Sequence, residues 1–203
     1  MTSKERFIEL LNKVERPFNK QGLINKLENS DFFIAPASTK YNFSYEGGLV
    51  DHCLSVYDIF SKLKETLNID INDESIIVLS LFHDFYKMNF YESYVKNEKV
   101  YSEYGSKSDN LGKFDWVSKN AYKVKEPEDR FIYGTNGETC EYMVRYYLPL
   151  STEESIAIIN SSNTNPLVYD ITHIYNKYAL SYLLHISDEL SMFSSTWKFN
   201  KEE

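Results

Sequence analysis

The chain has 203 residues, 42% of them hydrophobic, enough to bury one sizeable core and matching the size of a single domain. Seven Gly and five Pro are few for this length, which argues against a sandwich or barrel built from many tight turns. A formal charge of −8 disfavours duplex nucleic acid as a partner, because backbone binding relies on Lys and Arg displacing counterions. A small anionic ligand stays compatible, since a metal and a few cations can capture a phosphate locally. Cys53 and Cys140 make neither a disulfide framework nor a zinc knuckle. The aromatic residues, mostly Tyr (17) and Phe (13), are expected chiefly in the core. The N-terminal stretch MTSKERFIELL is charged and amphipathic, and no apolar run reaches the ~18 residues a membrane span needs. A cytoplasmic location is the expectation.

In chain order, Thr2-x-x-Glu5 reads as a capping box, followed by Phe7, Leu10, Leu11 and Val14 at helical spacing. A short helix is expected over 22–29. Residues 31–47 have no clear period and end in Glu46-Gly47-Gly48, a turn feeding a helix to about Leu67 with Leu49, Cys53, Val56, Phe60 and Leu63 on one stripe. Asn72 or Asp73 can cap a buried helix through SIIVLSLFHDFYK. Over 91–130, aromatic and β-branched residues partly alternate with polar ones around GSKSDNLG, predicting an inserted β-hairpin. Helices resume at 137–148 and after Ser151-x-x-Glu154, a second capping box. SSNTNP (161–166) breaks the pattern, and one long helix then runs to about Phe193. The aromatic tail MFSSTWKF hints at packing or a dimer contact.

His83-Asp84 closes an apolar helix, where a carboxylate is costly unless a cation or hydrogen bonds compensate it. Alone, such a pair is more often a solvent-facing helix end. His52 lies in an otherwise apolar helix, however, and Asp188 interrupts LLHISDELSMF. Polar groups isolated on three helices can satisfy one another around a shared cation.

The blocks GGLVDHCLSVYDIF (47–60), LFHDFYKMNFY (81–91) and ALSYLLHISDELSMF (179–193) resemble the H…HD…D signature of the HD superfamily of metal-dependent phosphohydrolases. More narrowly they are similar to short HD hydrolases common in phages and prophages of low-GC bacteria, as are APASTKYNFSYEGG and LPLSTEESIAI. The resemblance runs from Ala35 to Phe193. It implies an all-α HD-domain helical bundle with an inserted β-hairpin, as one domain over 1–203. It further implies one divalent metal on His52, His83, Asp84 and Asp188. Two imidazoles and two carboxylates suit Mn, Fe, Co, Ni, Zn or, less well, Mg, leaving positions for water and a phosphate oxygen. Lys87 matches a Lys often found one turn after the HD pair, and on a continuing helix it would share a face with His83.

The implied partner is a nucleotide or other phosphorylated small molecule, hydrolysed by metal-activated water. Nucleoside mono- or triphosphates come first. Cyclic or short oligonucleotide signals are the alternative, plausible for a phage counter-defence factor in a host cytoplasm, and a domain that binds without turnover is the third reading. The chain departs from its relatives where they carry extra histidines, near Asn42, Asn136 and Ser161, so the centre is expected to be mononuclear. Side chains must then do part of the charge work. Candidates are Lys87, Arg130 and Arg145 for phosphate, and Glu138 (ahead of Glu46 and Glu189) as acid or base beside Asp84. His185, three residues before Asp188, is a candidate partner of the ligands. The sequence leaves the oligomeric state open.

Overall fold

The computed structural model describes residues 1–40, 42–161 and 171–194, which form eight α-helices and a three-stranded sheet. Helix α1 (Ser3–Asn12) begins at the Thr2/Glu5 capping box and buries Phe7, Leu10 and Leu11. Helix α2 (Lys20–Glu28) starts two residues before its expected position, because the Asn19 side chain accepts the Gly22 N–H. Helix α3 (Gly48–Leu67) needs both glycines of its entry. Gly47 has φ +83°, and a Cβ on Gly48 would run into the Phe43 carbonyl oxygen. Helix α4 (Asp73–Phe82), capped by Asn72, is buried from Ile76 onward.

Helix α4 does not continue through Lys87 as the sequence suggested. It stops at Phe82, and a 3₁₀ turn over Phe85–Lys87 follows. The Cys140 thiol donates to the Phe82 and His83 carbonyls at 3.0 and 3.1 Å, so carbonyls left open at the helix end are satisfied from another element.

The expected hairpin is a three-stranded antiparallel sheet, β1 (Tyr91–Tyr101), β2 (Lys107–Asp109) and β3 (Gly112–Val124), ordered β1-β3-β2. Strands β1 and β3 pair from Tyr91↔Val124 to Tyr101↔Phe114. The stretch read as one turn folds back on β3 as a minimal hairpin, its tip held by Asp109 Oδ1 accepting the Leu111 N–H at 2.9 Å. Most of the sheet is exposed, which corrects the expectation that its aromatics are core. Phe114 is buried, whereas Trp116 is 51% exposed and Tyr94 43%.

Helix α5 (Asn136–Arg145) carries a Thr135/Glu138 capping box, and α6 (Thr152–Ser161) the expected Ser151/Glu154 one. Glu154 is fully buried, with Arg16 at 2.7 Å from each carboxylate oxygen. The single long C-terminal helix is split at Tyr178 into α7 (Ile171–Lys177) and α8 (Ala179–Ser194), without a Gly or Pro to announce the break. Most of the 161–166 loop, and the tail from 195 onward, lie outside the described residues.

Helix α3 packs between α4 and α8, α6 packs on α8, and α1 covers α3 and α4. Phe7, Phe32, Phe82 and Phe85 meet edge to face at 5.3–5.9 Å, a rigid aromatic group that brackets His83-Asp84 in sequence. No described helix is long and apolar enough to cross a membrane.

Candidate metal centre

Three elements deliver the cluster. His52 sits on the second turn of α3, fixed by the Gly47-Gly48 entry, with the Phe43 ring 5.3 Å from its own. His83 is the C-cap of α4, and Asp84 opens the 3₁₀ turn, so the end of α4 turns adjacent side chains toward one point. Asp188 projects from α8, which packs on α3. His52 and His83 are 1% exposed, the Asp84 side chain 7% and that of Asp188 21%, so solvent reaches the cluster beside α8.

The ring orientations follow from hydrogen bonds. His83 Nδ1 lies 3.0 Å from the Ser80 carbonyl. A carbonyl only accepts, so Nδ1 carries the proton, and in the neutral ring Nε2 offers a lone pair to the centre. His52 Nδ1 lies 3.1 Å from Ser191 Oγ, which can accept in the same way. The two Nε2 atoms are 3.2 Å apart. Asp188 Oδ1 stands 3.1 Å from His52 Nε2 and 3.9 Å from His83 Nε2.

Three acceptor atoms thus face a common point, all within 4.8 Å of one another. Ligands bound about 2.0–2.2 Å from one ion are at most about 4.4 Å apart, so these separations match a shared divalent cation. Asp84 Oδ2 lies 3.4 and 3.6 Å from the two imidazoles but stands outside the mutual set of three, and Lys87 Nζ reaches it at 2.6 Å. The four residues singled out in the sequence therefore meet, as a group of three with Asp84 at its edge.

The charges follow from burial and proximity. Burial works against ionised Asp84, yet Lys87, His83 and His52 outweigh it and hold the carboxyl far below the usual range. Asp188 is likewise lowered, burial being overcome chiefly by His52. Burial also lowers His83, which favours the neutral ligand form. His52 moves the other way: burial is outweighed by Asp188 and Asp84, so without a cation a proton held there offsets the carboxylates. Lys87 stays firmly charged, Asp84 outweighing its desolvation. The 3₁₀ turn, rather than a continuing helix face, brings these two together.

The other candidates lie elsewhere. The Glu138 carboxylate accepts the Thr135 N–H at 2.7 Å as half of the α5 cap, which holds its carboxyl below its ordinary value. Arg145 pairs with Glu141 on an exposed face and donates to Ser155. The Arg130 guanidinium lies 4.7 Å from the Phe90 ring, and its buried Nε has no hydrogen-bond partner. Among the described residues, the structure brings none of these three into hydrogen-bond or ion-pair contact with the cluster. Glu46 and Glu189 are exposed, and His185 stacks on Tyr175 at 5.5 Å. At the three positions where the sequence reading looked for further histidines, Asn42 donates to the Met192 carbonyl, Asn136 opens α5, and Ser161 bonds the Ile158 carbonyl at 2.9 Å. Ser191 and the Ser80 carbonyl, which orient the imidazoles, went unnoticed in the sequence. For Ser191 the signal was its place three residues after Asp188 on one helix face.

Comparison with known proteins adds one finding. No family model and no solved structure matches the chain. A 57-residue segment, 26% of the chain, is 40% identical to the dihydroneopterin 2′,3′-cyclic phosphate phosphodiesterase of Methanocaldococcus jannaschii. The match spans 23% of that protein's length. Over this segment the chain is similar to a phosphodiesterase, and its described residues include a His/His/Asp group able to hold a metal ion.

Proposed function

We propose that the chain is an HD-type metal-dependent phosphohydrolase that uses water to cleave a phosphate ester of a nucleotide at a mononuclear centre. The observation that carries this reading is the convergence of His52 Nε2, His83 Nε2 and Asp188 Oδ1 from three helices, with solvent access beside Asp188. Mn, Fe, Co, Ni, Zn and Mg are the candidate ions, His52, His83 and Asp188 would hold one, and Asp84 completes the set. When bound, such an ion supplies Lewis-acid charge at the phosphate and acidifies water.

The protein's own groups do the rest. Ser80 and Ser191 fix the imidazole rings so that both present Nε2 inward. Lys87 keeps Asp84 ionised and places a buried positive charge beside the cluster, where phosphate oxygens would gather. Ionised Asp84 can orient a water by accepting its hydrogen. Arg130, with its unpartnered Nε, is the further cation with donor capacity to spare. Glu138 could serve as acid or base only by leaving its cap.

A second reading, phosphodiesterase action on a cyclic or short oligonucleotide phosphate, is favoured by the Methanocaldococcus jannaschii relative. A diester carries less negative charge than a monoester, so one ion and one lysine would offset it more completely. The test is turnover by the metal-loaded protein on nucleoside mono- and triphosphates, 2′,3′-cyclic nucleotides and cyclic dinucleotides. Phosphate release supports the first reading, and ring opening or linear dinucleotide the second. Asp188→Ala should abolish either activity together with metal binding. Tight nucleotide binding without turnover would leave a binding domain and sink both.

A further inference from the structure

A cleft of about 460 Å³ lies between the exposed β1–β3 sheet and Thr39, Lys40 and Ser44, and none of the His/Asp cluster's residues lines it. Its wall carries Lys40, Lys96, Lys119 and Lys123 against a single carboxylate, Glu98. That concentration of cations stands in a chain whose net charge is −8.

The arrangement runs against sheet stability. Lys96 and Lys119 are directly opposite in register, a like-charge cross-strand pair that destabilises a sheet. Glu98 alone bridges them, at 2.9 Å from Lys96 and 3.3 Å from Lys119. Lys123 is paired with Glu92 at 2.7 Å, and Lys40 makes no ion pair among the described residues. Exposed pairs of this kind are screened by solvent and contribute little to stability, so a ligand bearing several charges can displace or bridge them.

We propose that this cleft binds a chain of linked phosphates, as a free polyphosphate or as the polyphosphate of a nucleotide. Its volume is that of a small-ligand pocket, and its cations come from two strands and a loop, which surround a short polyanion better than a single phosphate. A long nucleic acid would meet the acidic remainder of the chain. Ser44 lines the cleft and its neighbour Phe43 has its ring 5.3 Å from that of His52, so adjacent residues of this loop serve the cleft and the His/Asp cluster. The cleft itself needs no metal.

The experiment is isothermal titration of the metal-free chain with sodium tripolyphosphate, orthophosphate and ATP. Tripolyphosphate should bind once per chain, more weakly as salt rises, and about tenfold or more tighter than orthophosphate. Lys96→Gln/Lys119→Gln should weaken it about tenfold, whereas Lys13→Gln/Lys62→Gln, which removes equal charge elsewhere, should change it less than about twofold. ATP binding at least as tightly as tripolyphosphate identifies a nucleotide as ligand, and weaker ATP binding a free polyphosphate. Either supports the cleft. Binding should persist in Asp188→Ala, which separates this proposal from the hydrolytic reading. No saturable tripolyphosphate binding, equal loss in both double variants, or loss in Asp188→Ala would overturn it.

Discussion

Replacing Lys87 with Met removes one charge and little volume from the shortest ion pair at the centre. Lys87 Nζ lies 2.6 Å from Asp84 Oδ2, with side-chain exposures of 14% and 7%. Deleting one partner of such a pair leaves an uncompensated charge, at a cost of about 3–5 kcal/mol. Proton uptake by Asp84 would set the upper limit. At about 2–4 °C per kcal/mol for a chain of this size, the metal-free variant should melt roughly 10 °C below wild type. A divalent ion returns positive charge to Asp84, so adding Mn²⁺ or Zn²⁺ should raise the melting temperature more in Lys87→Met than in wild type. Urea denaturation and thermal melts, each with and without metal, give all four corners of the cycle. A cost below about 1 kcal/mol would mean that Asp84 does not depend on Lys87 for its charge, contrary to a low-dielectric pairing of the two. An equal metal shift in the two proteins would show that the ion does not reach Asp84.

Ser191→Ala removes the oxygen that orients His52 and should weaken metal binding about 10–100-fold, read by competition with a chromophoric chelator, while leaving the fold intact. Gly48→Ala drives a methyl into the Phe43 carbonyl and should cost about 1–3 kcal/mol in urea denaturation, a penalty that Ala at exposed Gly112 would not share by this route. Glu154 is buried, but Arg16 outweighs that burial and holds its carboxyl below the ordinary glutamate range. A carboxyl lowered on folding contributes stability above its unfolded value, and that contribution fades as pH falls through the folded one. The stability difference between wild type and Glu154→Gln should therefore shrink on acidification from about pH 5.5 to pH 3, measured by urea denaturation at each pH. A constant difference would refute the ion-pair account.

The parts legible in the sequence were those with a local physical cause. Thr2/Glu5 and Ser151/Glu154 announce helix starts, and Gly47-Gly48 announces a turn no other residue pair would make easily. His52, His83, Asp84 and Asp188 stood out as polar residues in apolar helices, and in the fold the first three are buried and Asp188 is partly so. What depends on distant elements was hidden. The end of α4 is stabilised by Cys140, 57 residues away from His83, so the 3₁₀ turn that carries Lys87 to Asp84 left no local trace. The three-residue β2 is too short to show alternation, and alternation on β1 and β3 does not say whether either face is covered. Thr135-x-x-Glu138 obeys the same capping pattern as α1 and α6, which accounts for Glu138 without chemistry.

Metal content decides whether the His/His/Asp cluster is a metal centre. Protein purified without chelator, then titrated with Mn²⁺, Fe²⁺, Co²⁺, Ni²⁺, Zn²⁺ and Mg²⁺ under elemental analysis, should hold one divalent ion per chain in wild type and lose it in Asp188→Ala. A wild-type protein that retains none of these ions, or an Asp188→Ala variant that retains a full complement, would contradict the convergence of His52, His83 and Asp188 on a common cation.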